Sequence, residues 1–192
     1  MKSTKLIKVW DLPLRIFHWL LVAGFFVAYL TEEELLPVHV WAGYLVLGLL
    51  IFRLVWGFVG NSYARFTNFL CSPTKSFAYL KDAIALTSKR YLGHNPAGAG
   101  MIVLLIVSLF ATVISGLVVY AADQNLGPLA GMVGASNEDF WEEAHEIAAN
   151  FTLLLVVVHV VGVAFESFVH KENLAKAMWN GYKTSDDSDV DK

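Results

Sequence analysis

The 192-residue chain has a single cysteine, Cys71. That excludes an intrachain disulfide. With no C-x-x-C-H motif it also excludes covalent c-type haem attachment, so any haem here is held without thioether bonds. Lys and Arg are absent from residues 31–38 and 122–146. Proline is scarce inside the apolar runs: Pro13, Pro37 and Pro96 fall at run ends, where helix starts put them. The paired Gly/Pro breaks at midspan that mark many transporters are missing. No small-x-small cleavage site precedes the Glu32-Glu33-Glu34 cluster, so the first apolar run reads as a retained span rather than a signal peptide. No internal repeat, no acid–base cluster of a catalytic kind and no nucleic-acid signature stands out.

What is abundant is apolar side chain. Hydrophobic residues make up 56% of the chain and the mean hydropathy is +0.54, so several stretches are too apolar for water. Four spans are predicted, at about 12–30, 35–59, 99–121 and 142–166. Between the second and third, residues 60–97 hold Pro73 and five basic residues. Within them the apolar periodicity of Ser76 to Leu86 predicts an amphipathic helix lying in the membrane interface. The reading is a single all-α domain over 1–184, an integral membrane four-helix bundle, followed by a disordered acidic tail over 185–192.

Charge sets the expected orientation. All fourteen Lys and Arg fall in the N-terminal arm through Arg15, in the 53–90 stretch, or from Lys171 onward. The positive-inside rule then puts both termini and the central loop in the cytoplasm, with four crossings of the membrane. The opposite side carries Glu32, Glu33, Glu34, Asp123, Glu138, Asp139, Glu142, Glu143 and Glu146. Such a negative surface would steer a basic partner, and it would repel an anion.

The fourth span, EEAHEIAANFTLLLVVVHVVGVAFE, carries His145 and His159. Ligand-capable side chains inside a membrane are expensive and need a partner. Fourteen residues apart, at about 100° and 1.5 Å per residue, the two lie within about 40° of one face and about 21 Å apart along the axis. Two stacked cofactors need that arrangement. His18 lies about six residues, roughly 9 Å of rise, inside the cytoplasmic end of the first span, at a depth similar to that of His159. His39 opens the second span on the outer side, at the depth of His145. Depth therefore pairs His18 with His159 and His39 with His145. Imidazole is a normal axial ligand of haem iron, and two per iron suit outer-sphere electron transfer.

Each residue has a plainer role available. A lone histidine near a helix end is ordinarily a satisfied interfacial residue, and Gly24, Gly43, Gly48, Gly116 and Gly162 serve helix packing as readily as the approach of a flat macrocycle. Arg15 and Arg53 border the inner site and are candidate propionate contacts, but they are also sufficient as positive-inside anchors. His94 and Asn95, just before the third span, are candidate contacts for a propionate or a quinone oxygen, or simply a helix cap. His170 is expected to be solvated. The tryptophans fit an aromatic belt.

The segments VWDLPLRIFHWLL, HVWAGYLVLGLLIFRLVWGFVG and GHNPAGAGMIVLLI, with the H-x13-H of the fourth span, resemble the prokaryotic cytochrome b561 family, related to the cytochrome b subunits of nickel–iron hydrogenases. The similarity runs over about residues 8 to 180. It implies a membrane cytochrome with two non-covalent b haems between helices, ligated by His18 with His159 and His39 with His145. It also implies electron exchange between the membrane quinone pool and a periplasmic redox partner, such as a basic c-type cytochrome or a redox subunit. The alternatives are a quinone-linked oxidoreductase acting directly on a small molecule such as superoxide, or the cytochrome b anchor of a larger respiratory enzyme.

Overall fold

A computed structural model describes residues 5–32, 35–134 and 137–185. Among them are seven helices and two short strands. Strand β1 is Lys5–Lys8, followed by α1 Leu12–Leu30, α2 Leu36–Val59, α3 Phe66–Phe69, α4 Pro73–Ile84, α5 Pro96–Gln124, α6 Glu138–Val169, α7 Leu174–Asn180 and β2 Tyr182–Ser185. Helices α1, α2, α5 and α6 are long and apolar enough to cross a membrane. Only 17–28% of the residues in their most apolar stretches are buried against protein. Side chains such as Val107, Ile114, Val157 and Val161 are bare, as they must be where lipid is the solvent.

The helix starts follow from local chemistry. Asp11 caps α1: its Oδ1 accepts the Leu14 N–H at 2.9 Å, and its Oδ2 accepts the Trp56 indole N–H at 3.0 Å. Pro37 sits in the first turn of α2 and Pro96 opens α5, while Asn95 Oδ1 accepts the Gly98 N–H at 2.7 Å. Ser72 caps α4 and Asn173 caps α7 through their side chains. Helix α5, capped by Asn95, starts three residues before the expected span, and α6 starts four residues before, with Glu138 and Asp139 in its first turn.

The chain forms two compact units, and each long helix contributes to both. Unit 1 comprises residues 1–19, 52–103 and 157–192; unit 2 comprises residues 20–51 and 104–156. The core of unit 2 is Phe25, Val46, Leu50, Leu109 and Val113, against which Leu153 and Val156 pack, so all four long helices meet there. A hydroxyl ladder ties α5 to α6 in the same unit. Thr152, fully buried, stands 2.6 Å from Ser108 Oγ and 3.1 Å from Thr112 Oγ1. Such side-chain bonds between helices replace the hydrophobic drive that is missing in lipid.

Unit 1 buries Val9, Leu14, Phe17, Phe69, Leu92 and Ala177. Amphipathic α4 buries Tyr79 and Ala83 and leaves Phe77, Leu80 and Ile84 exposed on one side, the pattern of a helix in an interface. Two short strands join the helices, in an antiparallel pairing from Lys5 with Ser185 to Lys8 with Tyr182. Of the stretch read as an acidic tail, Ser185 ends β2 and residues 186–192 lie outside the described residues, as do Glu33 and Glu34. Lys183, buried, bonds Glu172 at 3.2 Å and the Tyr91 carbonyl, and Glu172 also takes Arg90 at 2.9 Å.

Gly181 organises this corner. Its carbonyl accepts the Val9 and Trp10 N–H groups, its φ is +89°, and a Cβ there would stand 2.5 Å from the Trp10 carbonyl oxygen. Gly181→Ala is expected to cost about 1–3 kcal/mol, read as a lower thermal midpoint of the detergent-solubilised protein. An unchanged midpoint would mean that the strand pair contributes little.

Candidate functional site

The histidines of α1, α2 and α6 divide between the units: His18 and His159 fall in unit 1, His39 and His145 in unit 2. No group of three or more His, Cys, Asp or Glu side chains gathers as a metal site among the described residues. What gathers is pairs.

In unit 2 the His39 and His145 rings stand with centroids 6.0 Å apart and planes at 86°. His39 Nδ1 lies 2.9 Å from the Ala28 carbonyl and His145 Nδ1 lies 2.8 Å from the Thr112 carbonyl. A carbonyl only accepts, so each Nδ1 carries the hydrogen and each Nε2 keeps a lone pair. That tautomer is the one a metal-bound histidine adopts when its other nitrogen is held by main chain. An imidazole nitrogen bonds a metal at about 2 Å, so two rings sharing one ion from opposite sides have centroids about 6 Å apart. The spacing fits. Both rings line an apolar cavity with Gly43, Tyr44, Gly116 and Glu32. Nothing stands within 4 Å of where a Gly43 Cβ would be, which leaves this wall of the cavity open to a flat ring.

Gly116 has a different task. A Cβ there would lie 2.8 Å from His145 Cε1 and 3.1 Å from its Nδ1. The imidazole therefore rests on bare α5 backbone, with Ser115 Oγ a further 3.2 Å neighbour of Nδ1. Sequence reading grouped Gly116 with the other small residues; its spacing from Thr112, four residues on the same helix, is the signal that separates it.

In unit 1 the His18 and His159 imidazoles are close enough to act on each other electrostatically. The same unit holds four buried side-chain nitrogens that lack any partner among the described residues: Arg15 Nε, His18 Nδ1, Arg53 Nη1 and His94 Nδ1. Arg53 is 3% exposed, with its guanidinium 4.5 Å from the Phe66 ring centroid and the Asp11 carboxylate within electrostatic reach. Buried donors without acceptors are costly, and a carboxylate-bearing ligand would satisfy them. Gly57, one turn after Arg53, makes room for Phe66, which a Cβ would meet at 2.0 Å. Gly162, three residues after His159, has nothing within 4 Å of its Cβ position. These features fit a flat group with acidic substituents.

The remaining candidates separate. Arg15 gives one arm to the Trp179 carbonyl, while its Nε stays free of partners. Asn95 Oδ1 is taken up as the cap of α5. His94 does not cap: its ring lies between Trp10 at 4.6 Å and Phe69 at 4.5 Å. Burial, with the Arg53 charge next, pushes its pKa down to about 3, against a main-chain hydrogen bond at Tyr63. It is therefore neutral across the physiological range. His170, expected in water, is half-buried, with Nε2 3.2 Å from Glu166 Oε2. The Tyr79 phenol donates to Glu166 at 3.1 Å, and burial together with that carboxylate raises its pKa. Its neighbours account for its burial: α6 runs about one turn past the expected span, and Ser88 Oγ stands 3.5 Å from His170 Nε2.

Four membrane-length helices that bring histidines together across helices define a class, the helical membrane proteins built to hold a flat metal cofactor. The chain belongs to the prokaryotic cytochrome b561 family, whose model matches residues 9–181. It is thus a b-type membrane cytochrome of bacteria, fitted for membrane electron transfer. Three similar proteins carry the name probable Ni/Fe-hydrogenase B-type cytochrome subunit. That of Azotobacter vinelandii is 25% identical, the match covering 95% of this chain and 90% of the relative. That of Cupriavidus necator is 24% identical, over 97% and 90%. That of Rhizobium leguminosarum bv. viciae is 23% identical, over 90% and 87%. No solved structure matches the chain.

Gly116→Val is expected to drive the His145 ring off its seat and lower the b-haem content of the purified protein, with the protein still inserted in the membrane. Wild-type haem content would show that the ring tolerates displacement.

Proposed function

We propose that the protein is a di-haem cytochrome b that carries electrons between the quinone pool and a redox partner on the acidic side of the membrane. His18 with His159 would hold one haem b and His39 with His145 the other, without covalent attachment. The observation that carries this reading is the His39–His145 geometry: 6.0 Å between centroids, both Nδ1 hydrogens committed to carbonyls, both Nε2 lone pairs left over. Bound haem supplies a one-electron iron couple. The chain's own residues do the rest. Each pair of imidazoles would hold its haem from two helices, and the one-electron chemistry would then need no exchange of ligands. Arg53 and Arg15 offer donors to propionates in unit 1, and His94, neutral and buried, offers a nitrogen to a propionate or to a quinone oxygen.

The positive-inside distribution supports cytoplasmic termini and a cytoplasmic 60–95 segment, putting the carboxylates of residues 32–34 and 123–146 on the periplasmic side. The partner is then a basic redox protein or a subunit of a larger redox enzyme. The relatives named as hydrogenase cytochrome subunits, matched over about nine-tenths of their length, favour an enzyme subunit.

A pyridine-haemochrome assay tests the ligand assignment. Two b haems per wild-type chain are expected, falling to about one in His159→Ala and in His39→Ala. No haem in the wild type overturns the reading, and loss from only one variant breaks one pairing. Charge steering is tested separately. Binding of a basic c-type cytochrome to protein in detergent is expected to weaken as salt rises, and salt-independent binding counts against it.

A further inference from the structure

The two histidine pairs lie in opposite electrostatic surroundings. Unit 2 contains no Lys or Arg and nine of the seventeen carboxylates, while all fourteen cations belong to unit 1. The contrast persists among buried groups. In unit 1, Arg53 Nη1 is buried without a partner, and the Arg53 charge and His159 both act on His94. Arg15, whose Nε is also buried and unpartnered, lies three residues before His18. In unit 2, Glu32 lines the same cavity as His39 and His145, with no cation beside it.

Ligand hydrogen bonding runs the same way. A hydrogen bond from Nδ1 to a carbonyl pushes electron density into the ring and raises ligand basicity, which favours oxidised iron. His39 and His145 each make that bond. His18 Nδ1, buried, makes none.

We propose that these features order the two centres: Arg53 and the unbonded His18 Nδ1 make the His18/His159 centre the one of higher potential, and Glu32 with the two carbonyl bonds makes the His39/His145 centre the one of lower potential. Reduction adds one negative charge to a centre. A buried guanidinium nearby stabilises the reduced form, and a carboxylate opposes it. One electron lost at the His39/His145 iron appears at the His18/His159 iron, and no proton or other reactant is needed. Electrons are therefore drawn toward the Arg53 side, and a partner docked on the acidic side is by preference the donor. Arg53 is a tuning residue that acts through its field. The inference rests on the two-haem reading.

Potentiometric titration followed by visible absorbance on the purified haem-loaded protein tests it. Two one-electron waves are expected, the upper lost in His159→Ala and the lower lost in His39→Ala. Arg53→Gln is expected to lower the reduction constant of the upper wave about tenfold, a fall of about 59 mV, and leave the lower wave in place. Arg53→Lys, which keeps the charge, is expected to hold the upper wave near wild type. Glu32→Gln is expected to raise the lower wave. If His159→Ala removes the lower wave instead, or if Arg53→Gln with both haems bound shifts only the lower wave or neither, the ordering is overturned. Should Arg53→Gln fail to accumulate, Glu32→Gln and the two histidine variants still decide it. A wild type lacking two b haems would instead defeat the reading underneath, which the haemochrome assay detects on its own.

Discussion

An imidazole in a membrane helix has two nitrogens to satisfy and almost nothing in hydrocarbon to satisfy them with. In unit 2 the chain meets half of that demand: carbonyls of Ala28 and Thr112 take the Nδ1 hydrogens of His39 and His145. Carbonyls inside a helix are normally spent on the i+4 amide, but each oxygen has a second lone pair, and these two rings use it. The Nε2 nitrogens keep their lone pairs, which the proposed haem would use. Much of the local sequence serves this constraint. Gly116 leaves a bare surface for one ring, and the Ser108–Thr152–Thr112 ladder fixes α5 against α6, so that the Thr112 carbonyl arrives where His145 needs it.

Unit 1 solves a different problem. Here the buried nitrogens are cationic or near cations, and four of them have no partner among the described residues. Burying a guanidinium without a counter-charge is among the more expensive things a protein does. Asp11 offsets part of that cost for Arg53, but it is already occupied as the cap of α1 and as acceptor for Trp56. Such a deficit suits an anionic ligand, and under the proposed reading haem b would bring two carboxylates.

The helices were legible because about twenty apolar residues in a row leave few alternatives, and the prolines of α2 and α5 sit in first turns. The histidine pairs were legible from depth alone, since rise per residue converts spacing into position along a helix. What spacing does not contain is which nitrogen each ring keeps. That depends on carbonyls of residues without chemical signature, Ala28 and Thr112, brought near by packing of other helices. The short strand pair was hidden for a similar reason. Residues 5–8 read as part of a basic arm, and only the approach of residues 182–185 gives them a partner. His170 was misplaced because spacing gives no sign of its neighbours, Glu166 one turn before it and Ser88 from beyond α4.

That strand pair has a topological consequence. Lys5 and Ser185 stand side by side, so the four spans form a circuit that lacks only a short join. A linker of a few residues would close it, and fresh ends could be opened in the connection between α5 and α6 without removing a helix. In such a circular permutant α6 would become the first span made and α5 the last. The order in which the ribosome delivers the two halves of each histidine pair would change, while the native contacts stayed the same. Order of synthesis and final architecture are thus separable in this protein, because Lys5 and Ser185 meet.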